Sequence, residues 1–74
     1  MPEYQGCSSW NAWNVALWIG NDEHLYRGAI RCLEKGRTLT GAAHIFLKVC
    51  APDKTPDGAR YNFKCVKEAL AGLK

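Results

Sequence analysis

The chain has 74 residues, of which 47% are apolar and 23% charged, and its formal net charge is +3 at pH 7. That length allows one domain, residues 1–74, which buries only about 60–65% of the surface its unfolded chain exposes, and the apolar-to-charged balance excludes a disordered chain. No apolar run approaches the roughly 18–20 residues of a membrane span, the N-terminus lacks the basic and apolar regions of a signal peptide, and a mildly basic charge excludes a polyacidic mimic of DNA; a cytoplasmic protein is expected.

Residues 1–8 read as an irregular lead-in, and Ser8 and Ser9 are suited to start a helix. From about Ser9 to Ile19 the apolar pattern is helical. Trp10, Trp13 and Leu17 fall at i, i+3, i+7, and Val15, Trp18 and Ile19 form a second arc. A helix apolar around most of its girth is mostly buried, which predicts the three tryptophans at the centre of the core. Gly20 is placed to end this helix as a left-handed residue. Asn21 is placed to cap the next, with Asp22 and Glu23 at the positive end of its dipole.

The second helix is predicted to run to about Glu34 or Lys35. Its apolar face is Leu25, Tyr26, Ala29, Ile30 and Leu33, with Cys32 beside it; Arg27, Arg31 and Lys35 recur on the other side, and Gly36 ends it. Thr38 or Thr40 can cap a third helix from about Gly41 to Cys50, with Ala42, Ile45, Phe46 and Val49 inward and Pro52 as the stop. Residues 51–61 read as a loop around the turn-forming Pro56-Asp57-Gly58. A last helix runs from Tyr61 or Asn62 to Leu73, using Phe63, Val66, Ala69, Leu70 and Leu73. No segment alternates with a period of two, so no strand is expected. The fold class is all-α: a small single-domain bundle of about four short helices, none long enough to stand without the others.

The sequence is poor in catalytic signals. His24 and His44 lie singly on short helices, whereas general-base work needs a positioned partner and a pocket. Cys50 with His44 is a nucleophile pair in principle only, since neither sits in a nucleophile motif. Cys7, Cys32, Cys50 and Cys65 are 25, 18 and 15 residues apart, without the close pairs a zinc site uses. A reducing compartment disfavours disulfides, which leaves four small buried apolar side chains, with a disulfide or a mixed His/Cys zinc site as the alternatives. Asp22-Glu23 is accounted for by helix-start electrostatics. The expectation is a protein that is no enzyme and carries neither metal nor cofactor.

Two surfaces are candidates for binding. Arg27, Arg31 and Lys35, with Arg37 just beyond, form a basic stripe, and Gly36 to Ala43 faintly resembles the turn and second helix of a helix-turn-helix unit. A DNA reader needs Arg, Asn or Gln on that helix, and it offers only His44 and Lys48, so a plain solvated face is the competing reading. The aromatic residues are the second candidate. A domain of this size struggles to bury three tryptophans, so Tyr4, Trp10 or Trp18 can stay exposed and bind a partner or a second copy of the chain.

The segment Trp10 to Tyr26 resembles the signature Trp-x-x-Trp-Asn-Val-x-Leu-Trp-x-x-Asn-Asp-Glu-x-Leu-Tyr of a family of small proteins from phages and other mobile elements. Many members also carry Thr-Pro-Asp-Gly, here Thr55 to Gly58, before a terminal helix. Arg27 to Lys54 matches only in its helical character, and His24 stands where members often have Gly. The resemblance implies a genomic context rather than an activity. In that context a short chain without a catalytic motif often binds a host protein or ribonucleoprotein complex, as anti-CRISPR inhibitors do. The expected function is steric inhibition of a host defence complex, with Arg27, Arg31, Lys35, Arg37, Trp10, Trp18 and Tyr4 as partner-binding residues. The alternative is a small DNA-binding regulator.

Overall fold

A computed structural model of the chain describes residues 9–73. Four helices follow one another: α1 (Trp10–Asn21), α2 (Glu23–Lys35), α3 (Leu39–Val49) and α4 (Phe63–Leu73). Among the described residues there is no strand, only an isolated antiparallel bridge between Lys54 and Arg60. The all-α bundle is therefore what the sequence predicts. α4 packs against α1 and α3, α2 packs against the same two, and α2 barely meets α4. The Cα radius of gyration is 11.1 Å, close to the roughly 11 Å of a chain this long folded around one core. Among the described residues no helix is long and apolar enough to cross a membrane. The lead-in at residues 1–8, with Tyr4 and Cys7, lies outside the described residues.

The helix starts follow from short polar side chains. Ser9 Oγ accepts from the Ala12 N–H at 3.1 Å, and Thr38 Oγ1 from the Gly41 N–H at 3.0 Å. Asn62 Oδ1 accepts from the Cys65 N–H at 2.9 Å. Each satisfies a backbone donor that a helix start leaves open. Of the two candidate threonines, Thr38 is the cap, so α3 begins two residues before the predicted Gly41. It ends at Val49 with Cys50 as its cap, ahead of Pro52.

The corner between α1 and α2 differs from the predicted one. Gly20 does not stop α1: it is helical, and the only glycine in the left-handed region among the described residues is Gly58. The break is one residue wide. Asp22 is extended (φ −95°, ψ 119°), its N–H donates to Trp18 O at 2.9 Å, and its Oδ1 accepts from the Leu25 N–H at 3.1 Å. Asp22, not Asn21, thus closes one helix and opens the next. Asp22 can do both because its backbone N–H completes the first helix while its carboxylate accepts from the second.

The tryptophans are not the centre of the core. The buried stripe of α1 is Ala12, Val15 and Ile19, while Trp10 is 42% exposed and Trp13 and Trp18 are half-buried. The arc Trp10, Trp13, Leu17 turns outward. The core is completed by Ala29 and Cys32 of α2, Ala42, Ala43 and Phe46 of α3, and Cys65, Val66, Ala69 and Leu70 of α4, with Ala59 and Tyr61 from the loop. Six of these fourteen residues are alanine, so the helices approach closely and leave no interior room for indole rings. Gly36 shows the same closeness. It ends α2 as predicted, at φ −85°, but a Cβ there would lie 2.5 Å from Ala42 N and 2.6 Å from Ala42 Cα. Glycine is required by the backbone of α3, not by a left-handed turn.

A polar lock ties α1 to the α3–α4 loop. Asn14 is 1% exposed on an otherwise apolar face, and Thr55 is 4% exposed. Thr55 Oγ1 donates to Asn14 Oδ1 at 2.6 Å and accepts from the Ala59 N–H at 3.0 Å. Asn14 Nδ2 and Trp18 Nε1 both donate to Asp57 Oδ2 at 2.9 Å. One turn earlier, Asn11 grips the backbone of Arg60, donating to its carbonyl at 2.8 Å and accepting from its N–H at 3.0 Å. Asn14 and Trp18 of the Trp10–Tyr26 signature thus meet Thr55 and Asp57 of the Thr-Pro-Asp-Gly turn. A buried amide is tolerated on α1 because both its ends are hydrogen-bonded.

Candidate partner-binding surface

α2 carries the basic stripe, and its side chains face solvent because the opposite face supplies Ala29 and Cys32 to the core. Arg27 NH2 pairs with Glu23 Oε1 at 2.8 Å, one turn apart and strongly exposed. Such a pair adds about 0.3–0.5 kcal/mol to a helix. Its main effect is to hold the guanidinium along the helix. Arg27 and Arg31 line a shallow groove of about 300 Å³ together with Tyr26, Ile30 and Glu34. Arg31 also borders a second groove of about 190 Å³ between α2 and α3, with Lys35, Gly28, Cys32, Ile45, Val49 and Cys50. Arg31 is the residue common to both. Arg37, in the turn after α2 with φ 39°, is exposed and lines neither groove.

Tyr26 and Val49 were predicted to face inward. They are 42% and 74% exposed, because Ala29 and Cys32 of α2 and Ala42, Ala43 and Phe46 of α3 already fill the contact between these helices. The consequence is that Tyr26 and Ile30 in one groove, and Ile45 and Val49 in the other, are set among cations. The arrangement suits an apolar side chain flanked by acidic or phosphate groups: guanidinium can make paired hydrogen bonds to such oxygens, and the tyrosine contributes rigid apolar area.

Of the predicted aromatic contacts, Trp10 is available at the start of α1 with Leu17 also exposed on its face. Trp18 has its indole N–H committed to Asp57, which makes it part of the loop lock. Tyr4 lies outside the described residues. The sequence reading missed Tyr26 and Ile30 as groove residues, and it missed the lock. The signal for the lock was available: Asn14 sits between Trp13 and Val15 in an apolar helix, where an amide needs a distant partner.

His44 is exposed and stacks on Phe63 with ring centroids 4.6 Å apart. Cys32, Cys50 and Cys65 are free, with Cys32 and Cys65 buried, and among the described residues no three His, Cys, Asp or Glu side chains converge to hold a metal ion. The two bonds from Asn14 and Trp18 hold the Asp57 carboxyl below its ordinary value of 3.8. Burial, and then the charge of Asp22, push Tyr61 up. Its Oη is buried without a hydrogen-bond partner among the described residues.

No curated protein and no solved structure matches this chain. Residues 1–71 match the family of unknown function DUF7249, and the chain belongs to that family.

Proposed function

We propose that this protein acts by binding, not by catalysis: it docks on a bacterial host defence complex, of the kind anti-CRISPR inhibitors target, and blocks it sterically in the host cytoplasm. The observation that carries the reading is the groove on α2, where Arg27 and Arg31 stand beside Tyr26 and Ile30. Tyr and Arg are the side chains that most often dominate interface energies, and a site on a packed helix loses little freedom on binding. The mobile-element context comes from the resemblance of Trp10–Tyr26 and Thr55–Gly58.

The test is a transformation assay in a host with an active nucleic-acid-guided nuclease. The full chain should restore survival of a targeted plasmid, and a Tyr26→Ala/Arg31→Glu variant with unchanged circular dichroism should not. A wild-type chain that leaves targeted and untargeted plasmids at their original ratio, whichever defence system the host carries, sinks the inhibitor reading. A double variant as potent as the wild type removes α2 as the binding face.

The second reading, a small DNA-binding regulator, is favoured by one feature. The connection between α2 and α3 is three residues long and contains a glycine, as helix-turn-helix corners often do. The exposed positions Thr40, His44 and Lys48 of α3 give it little with which to read bases. Duplex binding would weaken with salt at a slope near −0.9 per phosphate contact; no gel shift at low salt excludes it.

A further inference from the structure

The groove between α2 and α3 holds two thiols that the binding function does not use. Cys32 is buried in the last turn of α2, and Cys50 is the half-buried cap of α3. Both line the same groove. Gly28 explains how they meet. It lies one turn before Cys32, inside a helix where glycine is unfavourable, and a Cβ on it would come within 2.9 Å of Cys50 Sγ and 3.5 Å of Cys50 Cβ. The missing side chain is therefore the space the Cys50 thiol occupies. Helical side chains lean toward the preceding turn, so Cys32, one turn on, leans toward the same spot, and both residues line the groove there. Arg31 and Lys35 border this pocket.

We propose that Cys32 and Cys50 form a reversible dithiol–disulfide site across the α2–α3 groove, with hydrogen peroxide and related two-electron oxidants as co-reactant. Cys50, the more accessible, reacts first. Its thiolate attacks a peroxide oxygen and the O–O bond breaks. Hydroxide leaves and takes up the thiol's proton, giving one water and a sulfenic acid on Cys50. The Cys32 sulfur then attacks the sulfenic sulfur, the S–O bond breaks, and hydroxide leaves with the Cys32 proton as a second water. Two thiols have lost two electrons and two protons, and the peroxide has gained them as it becomes two waters. Burial first, then the charge and hydrogen bond of Cys50, push the Cys32 thiol up to about 11, with Lys35 acting the other way. Burial, the largest of these causes, is unchanged once Cys50 is a sulfenic acid, so the closing step speeds up as pH rises.

The experiment uses the full reduced chain treated with hydrogen peroxide, acid-quenched, alkylated and mapped by mass spectrometry. The expected product is a monomer lighter by two hydrogens, with Cys32 joined to Cys50, two of the four cysteines still alkylated, and full reversal by dithiothreitol. Cys32→Ser should stop the oxidation of Cys50 at a sulfenic or higher acid, and Cys50→Ser should abolish the link. The proposal is overturned if the link joins any other pair, Cys7 and Cys65 included. It is equally overturned if the main product is a disulfide-linked dimer, if Cys50 becomes sulfinic acid while wild-type Cys32 stays a free thiol, or if no thiol reacts.

Discussion

Replacing Asn14 by alanine tests whether the lock between α1 and the α3–α4 loop holds the fold together. Asn14 Oδ1 is the acceptor for the Thr55 hydroxyl at 2.6 Å, and both residues are buried. Deleting it leaves that hydroxyl proton without its partner in the interior, which costs about 1–3 kcal/mol. The void left by the amide adds roughly 1 kcal/mol, since a gap too small for useful water forfeits packing contacts. The expected loss is about 2–4 kcal/mol, against a total of roughly 4–11 kcal/mol for a domain of this length. Urea unfolding followed by circular dichroism measures it. The same variant has a second readout in Asp57. That carboxyl is held low by Asn14 first and Trp18 second, so in the wild type it contributes stability that is fully present above its ordinary value of 3.8 and is lost as pH falls through the lower folded value. In Asn14→Ala the Asp57 titration should move up toward that ordinary value, and the loss of stability in acid should be shallower. A stability change below about 1 kcal/mol together with an unmoved Asp57 titration would refute the lock.

Four further substitutions, with Asn21→Ala as a control, probe the helix backbones and a buried hydroxyl. Gly20→Ala should stabilise by about 0.5–1 kcal/mol, because the position is helical with open space around it; destabilisation in thermal melts would restore Gly20 as a stop. Gly36→Ala should destabilise by at least about 2 kcal/mol, since its Cβ would meet the backbone of Ala42, which cannot rotate away; a neutral result means α2 and α3 are further apart. Asp22→Ala should destabilise by about 1 kcal/mol through the lost cap on Leu25, whereas Asn21→Ala should do nothing measurable in the same melts. Tyr61→Phe should be neutral or stabilising, because it removes a buried hydroxyl with no partner among the described residues; a loss above about 1 kcal/mol would reveal a partner.

What was legible in the sequence was local. The helices were marked by Ser9 and Thr38 at their starts, by Gly36 at the end of α2, and by the spacing of Arg27, Arg31 and Lys35. The inward face of α1 was not legible, because two apolar arcs cover most of its girth and the pattern placed both inside, with all three tryptophans at the centre. Trp10, Trp13 and Leu17 carry more apolar area than Ala12, Val15 and Ile19, yet the small arc goes in. The arbiter is Asn14, which turns toward Thr55 and Asp57 more than forty residues away, a contact that no periodicity records. Gly20 and Asp22 illustrate the same limit at short range. Both can punctuate a helix, and the choice depends on which residue's side chain reaches the next turn. The candidate surface was half legible: the cations were visible as a stripe, but Tyr26 was assigned to the core because its spacing matched Leu25, Ala29 and Ile30.

The alanine-built interior also inverts the usual logic of mutational mapping. An alanine scan changes nothing at Ala12, Ala29, Ala42, Ala43, Ala59 and Ala69, which together line the contacts between all four helices and the loop. Truncation would therefore report on the interior only through its larger members, Phe46, Ile19 and Leu70 foremost, and would leave the closest contacts between helices untested. Scanning in the opposite direction, one methylene at a time toward larger side chains, is what would reveal the interior, because here the helices are held at the distance set by their smallest residues.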